Sequence, residues 1–167
     1  MDERTLVLRA SGGDKEAFAA LYTRYKDDLY RYAYFRLGDE EDARDAVSAC
    51  IVAAYEGIYS LRAAAAFRSW IFRILYRCCC QYIAQQSERN NRADTAELER
   101  LAAPDDSLSP ELKEAFDVLD ACDRDIVLLS AVAGYNSREI AAMIGMKPAT
   151  VRSRLSRALA KMKQFLE

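Results

Sequence analysis

Apolar residues recur every three to four positions along almost the whole chain, and no stretch alternates apolar and polar residues between turn signals. That pattern predicts an all-α protein. Phe18, Leu21, Tyr22, Tyr25, Leu29 and Ala33 mark one face of a first helix, which Asp14 caps and Leu37 and Gly38 end. A second helix starts near Asp39 with a stripe of Ala43, Ala46, Val47, Cys50, Ala54 and Ile58. After the segment from Tyr59 to Ala66, a third helix turns Phe67, Trp70, Ile71, Ile74, Leu75 and Cys78 inward.

Large apolar residues then become rare. The stretch 85–109 reads as a polar linker between two small helical domains, at 1–84 and 110–167. Ser109 and Pro110 open the second domain as an N-cap and a first helical residue. Gly134 ends a helix that begins near Asp123. Ser137 is placed to cap the next helix, with Ile140, Ala141 and Ile144 inward, and Gly145 supplies a tight turn. Pro148 fixes the backbone for a last, basic helix without losing a needed hydrogen bond. At about 100° per residue, Val151, Leu155, Ala158, Leu159 and Met162 form its core stripe. Ala149, Ser153, Ser156 and Arg157 lie opposite; Thr150 and Arg154 fall on one flank and Arg152 on the other. Helix, glycine turn and small-plus-basic helix are the pattern of a helix-turn-helix that reads a major groove.

Composition narrows the function classes. Of 167 residues 51% are hydrophobic, which suits packed domains, and no run approaches a membrane-spanning length. The first residues hold too short an apolar stretch for a signal peptide, so a cytoplasmic chain is expected. There is no histidine, and the five cysteines (Cys50, Cys78, Cys79, Cys80, Cys122) have neither disulfide-framework nor zinc-ligand spacing. Those absences predict no catalytic centre, no metal and no cofactor, with the Cys78–Cys80 run as inert packing groups. A formal net charge of −2 argues against a protein that grips DNA alone. Its distribution is uneven: residues 110–139 hold three basic against seven acidic side chains, whereas 140–167 hold six basic against Glu167 alone. Positive charge is therefore concentrated on the candidate recognition helix.

The segments Asp123 to Ile126, Ala133 to Tyr135, Ser137 to Ala141 and Thr150 to Ala158 resemble region 4 of the extracytoplasmic-function (ECF) sigma factors of the sigma-70 family. Gly13 and Asp14, Ala17 and Phe18, Leu21 and Tyr22, Asp42 to Asp45 and Phe67 to Ile74 resemble region 2, in matching order and spacing. The resemblance implies a promoter-specificity subunit whose partners are core RNA polymerase, promoter DNA and an anti-sigma factor, with no membrane insertion. It implies −35 contacts from Arg152, Ser153, Ser156 and Arg157, with Lys147, Thr150 and Arg154 nearer phosphates. It puts −10 recognition on the segment Ser60 to Ala66 and the helix after it, through Arg62, Arg68, Phe72, Arg73 and Tyr76, and polymerase binding on Asp42, Asp45, Ser48, Ala49 and Val52. Arg77 adds charge on the same helix as Phe72 and Tyr76. Phe72 and Tyr76 lie off the inner stripe, where a ring is free either to stack on an unpaired base or to join the core. The chain departs from the family at Ser48, Ala49 and Ile51, where a glutamine, an acidic residue and a phenylalanine are usual, and at Arg77, where an asparagine is usual.

Two further readings fit the sequence: a dimeric helix-turn-helix regulator that needs no polymerase, and a degenerate sigma-like protein that acts on other proteins, motivated by Ser48 and Ala49.

Overall fold

Side-chain oxygens start six of the eight α-helices found among the described residues, 1–92 and 109–167 of a computed structural model. Asp2 caps α1 (Glu3–Ser11), Asp14 caps α2 (Lys15–Leu37) and Asp39 caps α3 (Glu40–Gly57). After two 3-10 turns (Ile58–Ser60 and Ala64–Ala66) comes α4 (Phe67–Arg92). Ser109 caps α5 (Pro110–Asp117), Asp120 caps α6 (Ala121–Ala131) and Asn136 caps α7 (Ser137–Ile144). The last helix, α8 (Pro148–Leu166), starts on Lys147 with no side-chain cap. In each capped case an acceptor oxygen takes a backbone N–H that the first turn leaves unpaired. Among the described residues no strand occurs, and no helix is long and apolar enough to cross a membrane.

The all-α expectation holds, with two small domains. Helices α2, α3 and α4 bury Leu21, Leu29, Ala33, Ala43, Cys50, Ala54, Ile71 and Leu75 between them. Leu6, Val7 and Ala10 of α1 close one side, a helix the sequence reading passed over. Its signals were present: Asp2 as cap, an apolar i, i+1, i+4 set, and the Gly12–Gly13 stop. In the C-terminal domain Ile126, Leu128, Leu129, Ile140, Val151 and Ala158 make the centre.

The domains are packed together. The Phe35 ring of α2 stacks on Phe116 of α5, with centroids 4.8 Å apart and planes at 26°. Beside it, Arg36 Nε donates to Asp125 Oδ1 of α6, with both residues buried. Farther along, the Tyr135 hydroxyl donates to the Ser69 carbonyl of α4. Arg68 of α4 donates through Nη2 to the Val132 carbonyl and through Nε to the Ala133 carbonyl at 3.2 Å.

Four local expectations change. Ser137 is the first residue of α7 and not its cap: the Asn136 side chain accepts from Glu139 N while Glu139 accepts from Asn136 N, a reciprocal capping box. Leu159, assigned to the core stripe, is 47% exposed. Helix α4 runs to Arg92, past residue 84, because the glutamines and charged residues that suggested a linker are also good helix formers. Positions 93–108 of the expected linker lie outside the described residues. Phe72, for which two environments were open, is fully buried: its edge meets Tyr32, and the Arg68 guanidinium lies 5.1 Å from its centroid. It therefore has no face free for a base in this arrangement. The hydrophobic stripe of α4 widens there because α4 packs α2 and α3 on one side and approaches the C-terminal domain on another.

Candidate nucleic-acid interface

Gly145 ends α7 in the left-handed conformation (φ 77°), and its N–H donates to the Ala141 carbonyl. An L side chain rarely adopts that backbone, which is why a glycine sits at the turn. Pro148 then begins α8, whose Val151, Ala158 and Met162 are packed into the domain. The opposite side is open: Lys147, Thr150, Arg152, Ser153, Ser156 and Arg157 are all exposed. Arg157 Nε folds back on the Ser153 carbonyl at 3.4 Å, keeping the guanidinium against the helix surface. Two arginines, one lysine and three hydroxyls thus share a face with the unpaired N–H groups of the first turn, the donor set that base edges and phosphates accept.

Arg154 departs from this face. Its Nε donates to Asp123 Oδ1 at 2.8 Å, its Nη2 to Asp120 Oδ2 at 3.1 Å and its Nη1 to Cys122 Sγ at 3.4 Å. It ties α8 to the first turn of α6. Sequence reasoning missed this because the partners stand 31 to 34 residues away.

On the N-terminal domain the expected residues separate into three places. Arg73, Tyr76 and Arg77 line a groove between α4 and α7 together with Ala142 and Met143, and burial pushes the Tyr76 hydroxyl up from its ordinary range. Arg62 is exposed at a different groove, beside Glu3, Arg4 and Leu8 of α1. Arg68 lies in the domain interface, over Phe72 and 5.6 Å from the Tyr25 centroid, with Asp28 Oδ2 3.7 Å from its Nη2.

The outer face of α3 carries Asp45, Ser48, Ala49 and Val52 at i, i+3, i+4 and i+7, all exposed, with Val52 at 57%. Asp42, one turn before Asp45, is half-buried and accepts from the Tyr82 hydroxyl of α4. Ser48 also borders a groove between α2 and α3 with Tyr22, Lys26, Tyr30 and Arg44. An exposed apolar side chain flanked by small and acidic ones is the composition of a protein-docking surface.

All five cysteines are free thiols, and burial pushes each above the ordinary thiol range. Such thiols are poor nucleophiles near neutral pH. Among the described residues no group of three or more His, Cys, Asp or Glu side chains could hold a metal ion.

Residues 21–89 match the family model of Sigma-70 region 2, and residues 108–162 match that of Sigma-70 region 4. The chain is 30% identical over 161 residues to SigM, an ECF RNA polymerase sigma factor of Mycobacterium tuberculosis, spanning 92% of this chain and 79% of SigM. It is 28% identical over 174 residues to the ECF RNA polymerase sigma-E factor of Escherichia coli, spanning 95% of this chain and 91% of the relative. Among solved structures, CnrH in complex with the cytosolic domain of CnrY superposes with a TM-score of 0.68 at 26% identity, over 98% of this chain and 96% of CnrH.

Proposed function

The chain belongs to the ECF RNA polymerase sigma factors of the sigma-70 family, and from that premise we propose how its residues divide the work of promoter-specific transcription initiation. It has no reaction of its own. It binds core RNA polymerase and promoter DNA, and the polymerase supplies the chemistry. The observation that carries this reading is α8: its apolar side is packed while Arg152, Ser153, Ser156 and Arg157 stand together on the open side of a helix-turn-helix.

These four residues read the −35 element, with Lys147 and Thr150 toward the phosphates beside the uncapped N-terminus of α8. The −10 element is engaged by the groove of Arg73, Tyr76 and Arg77, with Arg62 at the separate groove beside α1. Arg68, whose Nε and Nη2 are held by the Ala133 and Val132 carbonyls, offers those donors to the strand only when the two domains part, whereas Phe72 stays in the core of the N-terminal domain, against Tyr32. Polymerase docks on the exposed α3 face of Asp45, Ser48, Ala49 and Val52, next to Asp42. The weak overall charge fits a subunit held on DNA by a larger partner, which does not need a lone repressor's phosphate contacts. An anti-sigma protein completes the set of partners, and the exposed α3 face is the surface it would cover to keep polymerase away. Work on a chromosome places the chain in the cytoplasm, where its thiols stay reduced.

In vitro transcription with core polymerase on a promoter library tests the reading: polymerase-dependent initiation from a subset of templates is expected, and initiation from none would overturn it. Within that assay Arg157→Ala should weaken recognition of the upstream element, by about 1–3 kcal/mol if its contact is bidentate, and leave core-polymerase binding unchanged. Equal loss of both would contradict the division between α8 and α3.

A further inference from the structure

Arg154 has the charge and the helix of a DNA contact but not the surroundings of one. Three of its N–H groups are engaged within the protein, two of them by the carboxylates of Asp123 and Asp120. Those carboxylates leave the site locally acidic, so a phosphate approaching the guanidinium meets two negative charges beside it. Asp120 and Asp123 are themselves fixed: Asp120 Oδ1 caps α6 by accepting from Asp123 N at 2.8 Å, and α6 is anchored by Ile126, Leu128 and Leu129 in the core. On α8, Arg154 lies between Val151 and Ala158, both buried, next to Ser153 and one turn before Arg157. The Arg154 bridge therefore connects the N-terminus of a core-anchored helix to the first half of the reading helix.

We infer that Arg154 is a positioning residue for promoter reading: through Asp123 and Asp120 it fixes the angle of α8, so that Arg152, Ser153, Ser156 and Arg157 meet base edges in register, and it makes no phosphate contact. The inference rests on the proposed −35 reading by α8. A phosphate contact and a positioning contact leave different marks. Loss of a phosphate contact weakens binding to all sequences alike and reduces the slope of log K against log salt by about 1. Loss of a positioning contact lowers the preference for the right sequence and leaves the slope alone.

The test uses full-length chain in holoenzyme with core polymerase, and a duplex that wild-type holoenzyme has selected from a random pool. Arg154→Gln should reduce the preference for selected over scrambled duplex by roughly tenfold, the effect of one misread base pair, with an unchanged salt slope. Asp123→Asn, which removes no cation, should do the same. If Arg154 instead serves phosphates, Asp123→Asn frees it, and binding to both duplexes strengthens with a steeper slope; that result, or a shallower slope in Arg154→Gln, overturns the inference. A melting temperature for each variant separates misorientation from unfolding: lost preference with a domain that melts as wild type is expected. Preference that falls only in step with lost stability would mean a purely structural bridge and would also overturn it. Failure of the wild-type holoenzyme to enrich any duplex would bring down the −35 reading itself, an outcome distinct from all of these.

Discussion

Arg36 and Asp125, 9% and 7% exposed, face each other across the domain boundary. Burial pushes the Asp125 carboxyl above its ordinary range, while Arg36 pulls the other way. A buried pair of this kind contributes little net stability, since desolving both charges opposes their attraction, yet removing one partner strands the other. Asp125→Ala should therefore cost about 3–5 kcal/mol, and the double change Arg36→Met with Asp125→Leu clearly less. Urea unfolding of the two variants checks this: a double-variant loss as large as that of Asp125→Ala would show that Arg36 is not stranded without its partner. Phe72 shows the same dependence on context. Its helix position leaves it beside the inner stripe of α4, and only the packing of Tyr32 and Arg68 around it makes it core.

At the scale of elements, the caps carry much of the fold's definition. Asn136 and Glu139 satisfy each other's backbone N–H at the start of α7. Asn136→Ala should lower stability by about 1 kcal/mol, whereas Ser137→Ala, inside the first turn, should stay within about 0.5 kcal/mol of wild type; thermal melts of the pair decide between the two residues. The contrast shows what was legible beforehand. Asp14, Gly38, Gly145 and Pro148 act on their immediate neighbours, so reading the sequence locates α2, α3 and the helix-turn-helix to within a residue or so. The open face of α8 follows equally from 100° steps. Arg154, Arg68 and Asp125 were beyond such reading, because their partners are tens of residues away and because an arginine looks the same whether it awaits a phosphate or holds a carboxylate. The α3 face came from the family resemblance; the exposure of Val52 is what the fold adds.

For the whole molecule, the raised Tyr135 hydroxyl predicts that the seam between domains loses stability in alkali. Burial pushes the Tyr135 hydroxyl, which donates to Ser69, up to about 12 from an ordinary value of 10.0. Below the ordinary value both folded and unfolded chains keep the proton, and the contribution is fully present. As pH rises from 10 toward about 12 the unfolded chain ionises first, so stability falls until the folded hydroxyl itself titrates. Tyr25, also raised to about 12 by burial and by its bond to Glu3, acts in the same window. Tyr135→Phe should make the loss of stability across that window shallower without abolishing it, as urea midpoints at several pH values would show; an unchanged slope would mean that the seam does not hold Tyr135 protonated.

The carbonyls of Val132 and Ala133 compete with every other acceptor for Arg68. The Nε and Nη2 donors given to those carbonyls are not open to a nucleic-acid strand, so strand binding through those donors competes with domain docking. The apparent affinity of a strand for those donors is then its intrinsic affinity scaled by the fraction of chains that are undocked; if only about one chain in a hundred is, binding weakens about a hundredfold. By the same linkage, whatever draws the C-terminal domain away from α4 raises that affinity by the same factor, with no new contact to the strand.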